Sequence, residues 1–158
     1  MAEFDPFWYE EPVSSMNIDA LADVRQAIDM PVVTGEELYT KAEFREVLEK
    51  QAADILNPDI VGVGGLQDII EIAGMADAFD VLVAPHCWNS TLVGAAAMVH
   101  TCAVMPNALI GEYFPQYEPF CSRLGSVDME VTKGVAVLGD APGLGVCMNE
   151  DVIASYEI

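Results

Sequence analysis

The sequence predicts an α/β fold of βα units around a parallel sheet, and three observations predict it. Short apolar runs of strand length alternate with segments whose apolar residues recur at helical spacing. The runs are apolar on both faces, as strands covered by helices on either side are. One proton-active residue, Glu10, Glu36, Asp59, His86 or Glu112, closes or follows each run at its C-terminal end.

The elements follow in order. Phe7-Trp8-Tyr9-Glu10-Glu11-Pro12 reads as a short aromatic strand stopped by proline. Asn17 is a candidate N-cap for a helix striped by Leu21, Val24 and Ile28 and ended by Pro31. Pro31–Glu37 gives a second strand. Thr40-Lys41-Ala42-Glu43 has the form of a capping box, and Phe44, Val47 and Leu48 stripe the helix it opens. Ala53–Leu56 is a third strand. Gly62, Gly64 and Gly65 make a loop, and Leu66, Ile69, Ile70 and Ala73 stripe the next helix. Val81–Ala84 is a fourth strand, Thr91–Val104 a nearly all-apolar helix, and Ala108–Ile110 a fifth strand.

The five proton-active residues are separated by 26, 23, 27 and 26 positions, one for each unit. If the strands are parallel and sequential, the side chains converge at one mouth of a barrel, and the C-terminal face of (β/α) barrels carries their active sites. Strand alternation puts Trp8 and Glu10 on one face and Tyr9 and Glu11 on the other. Glu10 is therefore expected to point inward and Glu11 to be exposed. Val32, Ile55, Val81, Val83 and Leu109 are expected on the inner face.

After Tyr113, Pro115, Pro119, Gly125, Gly134, Pro142, Gly143 and Gly145 break the chain. Loops and short extended pieces are expected there, with no further βα unit. Residues 1–116 thus read as the barrel part and 117–158 as a C-terminal extension that wraps onto something else.

Composition bounds the function. The 158 residues suit one domain, and 53% hydrophobic content excludes a disordered acidic chain. Six Lys and Arg against 26 Asp and Glu, a net charge of −20, leave no basic patch for nucleic acid or an anionic membrane surface. That acidity suits either a salt-rich habitat or an acidic mesophile. Cys87, Cys102, Cys121 and Cys147 form no C-x-x-C pair, so reduced cytosolic thiols fit better than a zinc ribbon or redox motif. The first residues lack a basic start and an apolar stretch, so no secretory signal is expected. Asn89-Ser90-Thr91 has the form of a glycosylation acceptor, without significance in such a chain. The longest nearly apolar run, Thr91 to Met105, falls short of the ~20 residues that span a bilayer. A cytoplasmic protein is expected.

Each candidate has a bland alternative. Either glutamate of Gly35-Glu36-Glu37 could simply begin a helix, Asp59 after Asn57-Pro58 could be a turn aspartate, and His86 could be a satisfied core histidine. His100 lies in an apolar helix, where chemistry is not expected. The glycines do not form a dinucleotide fingerprint, and neither a Walker sequence nor a G-x-S-x-G elbow is present. As a set the residues say more. Two glutamates at adjacent strand ends offer hard oxygen ligands to Mg²⁺. An aspartate and a histidine on the next two strands can form a dyad in which the carboxylate fixes the imidazole tautomer. A protonated glutamate beyond them could donate to a substrate oxygen. The set suits removal of a proton α to a carboxylate.

These residues resemble the enolase superfamily, in its mandelate racemase/muconate lactonizing enzyme branch. Trp8-Tyr9-Glu10-Glu11-Pro12, Pro31-Val32-Val33-Thr34-Gly35-Glu36, Asn57-Pro58-Asp59 with Gly64-Gly65, Pro85-His86, Gly111-Glu112-Tyr113 and Pro142-Gly143-Leu144-Gly145-Val146 carry the resemblance. It implies Glu10 and Glu36 as Mg²⁺ ligands, Asp59 and His86 as the catalytic dyad, and Glu112 as the electrophilic acid. Within the branch, Gly35 to Tyr113, including Pro85-His86-Cys87-Trp88-Asn89-Ser90, looks most like acid-sugar dehydratases.

The family's third metal-binding carboxylate and its lysine motif would lie on strands before that of Glu10, and its capping domain earlier still. A complete barrel usually needs about 250 residues. The resemblance therefore implies the C-terminal half of a TIM-type (β/α) barrel, with an extension returning to an absent capping domain. Its expected partners are an acid-sugar carboxylate and either the missing N-terminal half or a second copy. A racemase or epimerase of the same superfamily, or a non-catalytic fragment or interaction subunit, are the alternatives.

Overall fold

In the computed structural model of the chain, residues 2–88 and 90–156 are described; Asn89, and with it the acceptor motif, lies outside them. Four βα units follow one another: β1 (Tyr9–Glu10), α1 (Ile18–Ala27), β2 (Val32–Thr34), α2 (Lys41–Glu49), β3 (Ile55–Leu56), α3 (Leu66–Asp77), β4 (Leu82–Val83) and α4 (Thr91–Cys102). The strands form one parallel sheet in the order β1-β2-β3-β4. The expected fifth strand shrinks to a single parallel bridge, Val83 to Ala108. There Val83 N–H donates to Asn107 O at 2.9 Å and Leu109 N–H to Val83 O at 2.8 Å.

The caps explain where two helices start. Asn17 Oδ1 accepts from Ala20 N–H, and the Thr40–Glu43 capping box closes in both directions. The stripes behind them are buried: Leu21, Phe44, Ile69 and Ile72 are fully enclosed against Val32, Leu56 and Val83. Each such side chain contributes ~1.5–3 kcal/mol relative to exposure.

The sheet's other face carries a small cluster of Val33, Ile55 and Ala84 with Trp8 packed on it. This corrects the expected inner face. Val32 and Val83 point outward into the helix layer, Val81 packs there too, and of the five expected residues only Ile55 belongs to the inner cluster. The register gives the reason. Glu10 pairs with Val33, not Val32, so the neighbour of an inward glutamate is Val33.

The chain after Tyr113 is more regular than expected. A turn at Pro115–Tyr117 leads into α5 (Glu118–Leu124), which packs on α4. Of the prolines that suggested a break, Pro115 and Pro119 each lie in the first turn of a helical segment, where the missing N–H costs nothing. Beyond it, β5 (Gly125–Val127) pairs antiparallel with β8 (Val146–Met148). Between them β6 (Met129–Thr132) and β7 (Val135–Leu138) form a hairpin, and α6 (Glu150–Ala154) follows. The hairpin turn, Lys133-Gly134, has positive φ at both residues, the geometry that matches strand twist.

Four of the cations are engaged in ion pairs: Arg25 with Asp54, Lys41 with Asp68 and Glu71, Arg45 with Glu49, and Lys50 with Asp19 and Glu46. The remaining acid excess repels itself across the surface. Screening shortens from ~10 Å at 0.1 M to ~3 Å at 1 M salt. The melting temperature is therefore expected to rise markedly between low and molar KCl, read by circular dichroism. A flat response would rule out adaptation to salt.

Candidate active site

Backbone pairing continues past the strand ends and fixes the residues of the mouth. Glu11 N–H donates to Val33 O, Asn57 N–H to Thr34 O, His86 N–H to Pro58 O, and Glu112 N–H to Pro85 O, at 3.0 to 3.2 Å. A further bridge joins Asp59 to His86. Gly35 lies where β2 turns into the mouth. Its φ is +143°, and a Cβ there would come within 2.9 Å of Phe44 and 3.1 Å of the Asn57 backbone, so only glycine lets Glu36 follow at this point.

The five residues expected from the sequence are brought to one mouth. His86 Nδ1 lies 2.7 Å from Asp59 Oδ2. On the other side of the ring, Nε2 is 3.2 Å from Glu36 Oε2 and 3.5 Å from Glu112 Oε2. Glu112 Oε2 also accepts from Cys87 N–H at 2.9 Å. Glu10 joins His86 and Glu112 in the wall of a cavity of about 210 Å³, with Trp8, Asn57 and Ala84. A larger cavity of about 430 Å³ lies between α4 and the C-terminal strands, and contains none of the five.

The electrostatics sort the groups. Burial would raise the Asp59 carboxyl, but the His86 hydrogen bond and the N–H groups of Val61 and Gly62 outweigh it and hold the group below its usual range. The bond to Asp59, opposed by burial and helped by Glu112 and Glu36, holds His86 above the ordinary imidazole value. Burial raises Glu36, and the negative charges of Glu10, Glu11 and Glu112 add to that, against the attraction of His86. Burial pushes the Cys87 thiol up to about 11, so it is no thiolate nucleophile at neutral pH.

Glu11 is not the exposed residue expected from strand alternation. Its φ of +42° takes it out of strand geometry, and it turns back across β2. Oε1 accepts from Thr34 Oγ1 and from Gly35 N–H, both at 2.9 Å, while Oε2 is buried without a partner among the described residues. Burial raises its carboxyl above the usual range despite those two bonds. Glu11 thus ties the end of β1 to the residue before Glu36. Alternation along one strand held no signal for this.

Carboxylate oxygens are the donors Mg²⁺ prefers. Burial is the main cause of the raised Glu36 carboxyl, and the charge of Glu10 adds to it; a divalent cation held by the two glutamates would relieve that added repulsion. The chemistry fits while the number falls short, for among the described residues no group of three His, Cys, Asp or Glu is placed to hold a metal ion.

What the fold and this mouth define is a piece of a (β/α) barrel that sets a histidine–aspartate pair among carboxylates. The chain belongs to the enolase C-terminal domain-like family, whose model matches residues 1–152. It is 32% identical to the D-galactarolactone cycloisomerase of Agrobacterium fabrum over 99% of this chain and 43% of that protein. It is also 32% identical to the D-xylonate dehydratase of Haloferax volcanii, over 100% of this chain and 38% of that one. The D-galactonate dehydratase of Ralstonia nicotianae is 31% identical over 95% and 41%. In structure, the chain matches an enolase from Sargasso Sea environmental sequencing with a TM-score of 0.95 and 40% identity, over 99% of this chain and 42% of that one. The chain thus spans about two fifths of the length of the relatives it matches.

Proposed function

We propose that the chain carries the proton-transfer side of an acid-sugar dehydratase that removes a proton α to a carboxylate. The observation that carries this reading is the two-sided engagement of His86, with Nδ1 on Asp59 and Nε2 facing Glu36 and Glu112. Asp59 holds the tautomer with the proton on Nδ1, which leaves the Nε2 lone pair for the α proton. Glu112 is the acid toward a substrate oxygen. Glu10 and Glu36 would hold Mg²⁺, which when bound supplies Lewis-acid stabilisation of the negative charge on the substrate carboxylate. The same reading divides the chain into barrel residues 1–116 and the extension 117–158. Among the described residues no helix is long and apolar enough to cross a membrane, and the acid sugars of the related dehydratases suit the cytoplasm.

The test joins the chain with the N-terminal half of such a barrel and follows acid sugars in D₂O. Loss of water with deuterium entering at the β carbon is expected, because the α carbon becomes a carbonyl when the enol ketonises. Deuteration at the α carbon without loss of water would favour a racemase or epimerase, and neither would favour a non-catalytic fragment.

In that joined protein, Glu10→Gln or Glu36→Gln is expected to weaken Mg²⁺ binding ~10-fold or more, since each removes one anionic ligand. Glu11→Gln keeps an acceptor for Thr34 and Gly35 and should matter far less. Calorimetric titration checks this, and a larger loss from Glu11→Gln would overturn the assignment of Glu10.

A further inference from the structure

We propose that Asn57 is a positioning residue that holds the Glu10 carboxylate in the mouth, at a cost to the stability of the fold. The proposal rests on the metal reading of Glu10 given above.

Asn57 is only 3% exposed. Its Nδ2 donates to Glu10 Oε1 at 2.9 Å, across 47 residues of sequence. Its Oδ1 is buried and has no partner among the described residues. The reverse amide orientation would set oxygen against oxygen, so the observed one is the only one the carboxylate allows. An asparagine kept for its turn would satisfy Oδ1 on nearby backbone N–H groups. Here the turn is held by the main chain instead, through Asn57 N–H to Thr34 O and the enclosed Pro58. The side chain directs its hydrogen bonding at Glu10 and leaves its other end unsatisfied, which penalises folding.

Glu10 has a second donor, Trp8 Nε1, at 3.0 Å to Oε2. That bond lies at the solvent edge, whereas the Asn57 bond is sheltered and restrains the carboxylate more firmly. Two neutral donors fix the direction of the carboxylate without neutralising its charge, as a group awaiting a cation requires. Partners of this kind are typically worth about 10–100-fold in metal affinity.

Asn57→Leu separates positioning from structure, because leucine has nearly the same volume and removes both the donor and the orphaned oxygen. The test uses the 158-residue chain in whatever assembly it forms. Amide NMR reads the Asn57 side chain in the wild type and in Glu10→Ala. Mn²⁺ binding by electron paramagnetic resonance, with thermal melting, compares the wild type and Asn57→Leu. The expected result is an Asn57 amide protected from exchange, protection lost in Glu10→Ala, and Asn57→Leu binding Mn²⁺ 10–100-fold more weakly while melting no lower. An amide indifferent to Glu10→Ala, unchanged Mn²⁺ affinity in Asn57→Leu, or a marked drop in its melting temperature would overturn the proposal. A wild-type chain that binds no Mn²⁺ would overturn the metal reading instead, and the amide signal would still decide the contact.

Discussion

His86→Asn, in the chain joined to the N-terminal half of its barrel, is expected to lower α-proton exchange by about 10²–10⁴-fold, the usual contribution of a general acid–base group. Asparagine can still hydrogen-bond Asp59, so the local backbone should hold. It has no titrating nitrogen to replace Nε2, the atom that faces Glu36 and Glu112. Divalent-cation affinity should stay near wild type, because the carboxylates of Glu10 and Glu36 are untouched. Loss of the label from an α-deuterated acid sugar, followed by NMR, gives the rate. Near wild-type exchange would remove His86 from the chemistry.

The second large effect concerns the chain by itself, which is expected to turn over no acid sugar and to run as dimers or larger assemblies in light scattering. Four strands and one bridge cannot close a barrel. The outer edge of β1 and the segment around Ala108 leave backbone groups open, and open edges of a sheet recruit other chains. Leu82, Leu109 and Ile110 add exposed apolar surface at 40%, 40% and 54%. Turnover is expected to fail for a separate reason: under the proposed assignment only two carboxylates, Glu10 and Glu36, would hold Mg²⁺. Adding the matching N-terminal half is expected to restore both order and activity. A monodisperse monomer with turnover of its own would overturn the half-barrel reading.

Much of this was legible from residues close together in the chain. The caps at Asn17 and Thr40–Glu43 and the stripes behind them are local signals, and the structure places the helices where they point. The five residues of the mouth were legible because a parallel, sequential sheet turns regular spacing into proximity. What escaped depends on pairing between strands. A strand of two or three residues that is apolar on both faces gives no parity, so Val32 and Val33 could be told apart only by the partner of Glu10. Glu11 escaped because a positive φ ends the alternation at that residue. Asn57 reaches Glu10 from two strands away, and nothing in Asn57-Pro58-Asp59 announces it. The helix Glu118–Leu124 was hidden by prolines that break a helix in its middle and not in its first turn.

The strand order has a consequence for how such a protein can change. The sheet runs β1-β2-β3-β4 with no crossing, so the reading order of the gene is also the order around the mouth. Replacing one strand and its helix with the corresponding unit of a relative would exchange only the groups that unit carries, leaving the flanking groups on the backbones that already carry them. Chemistry in this architecture can be edited a unit at a time, as a rack of tools is refitted peg by peg.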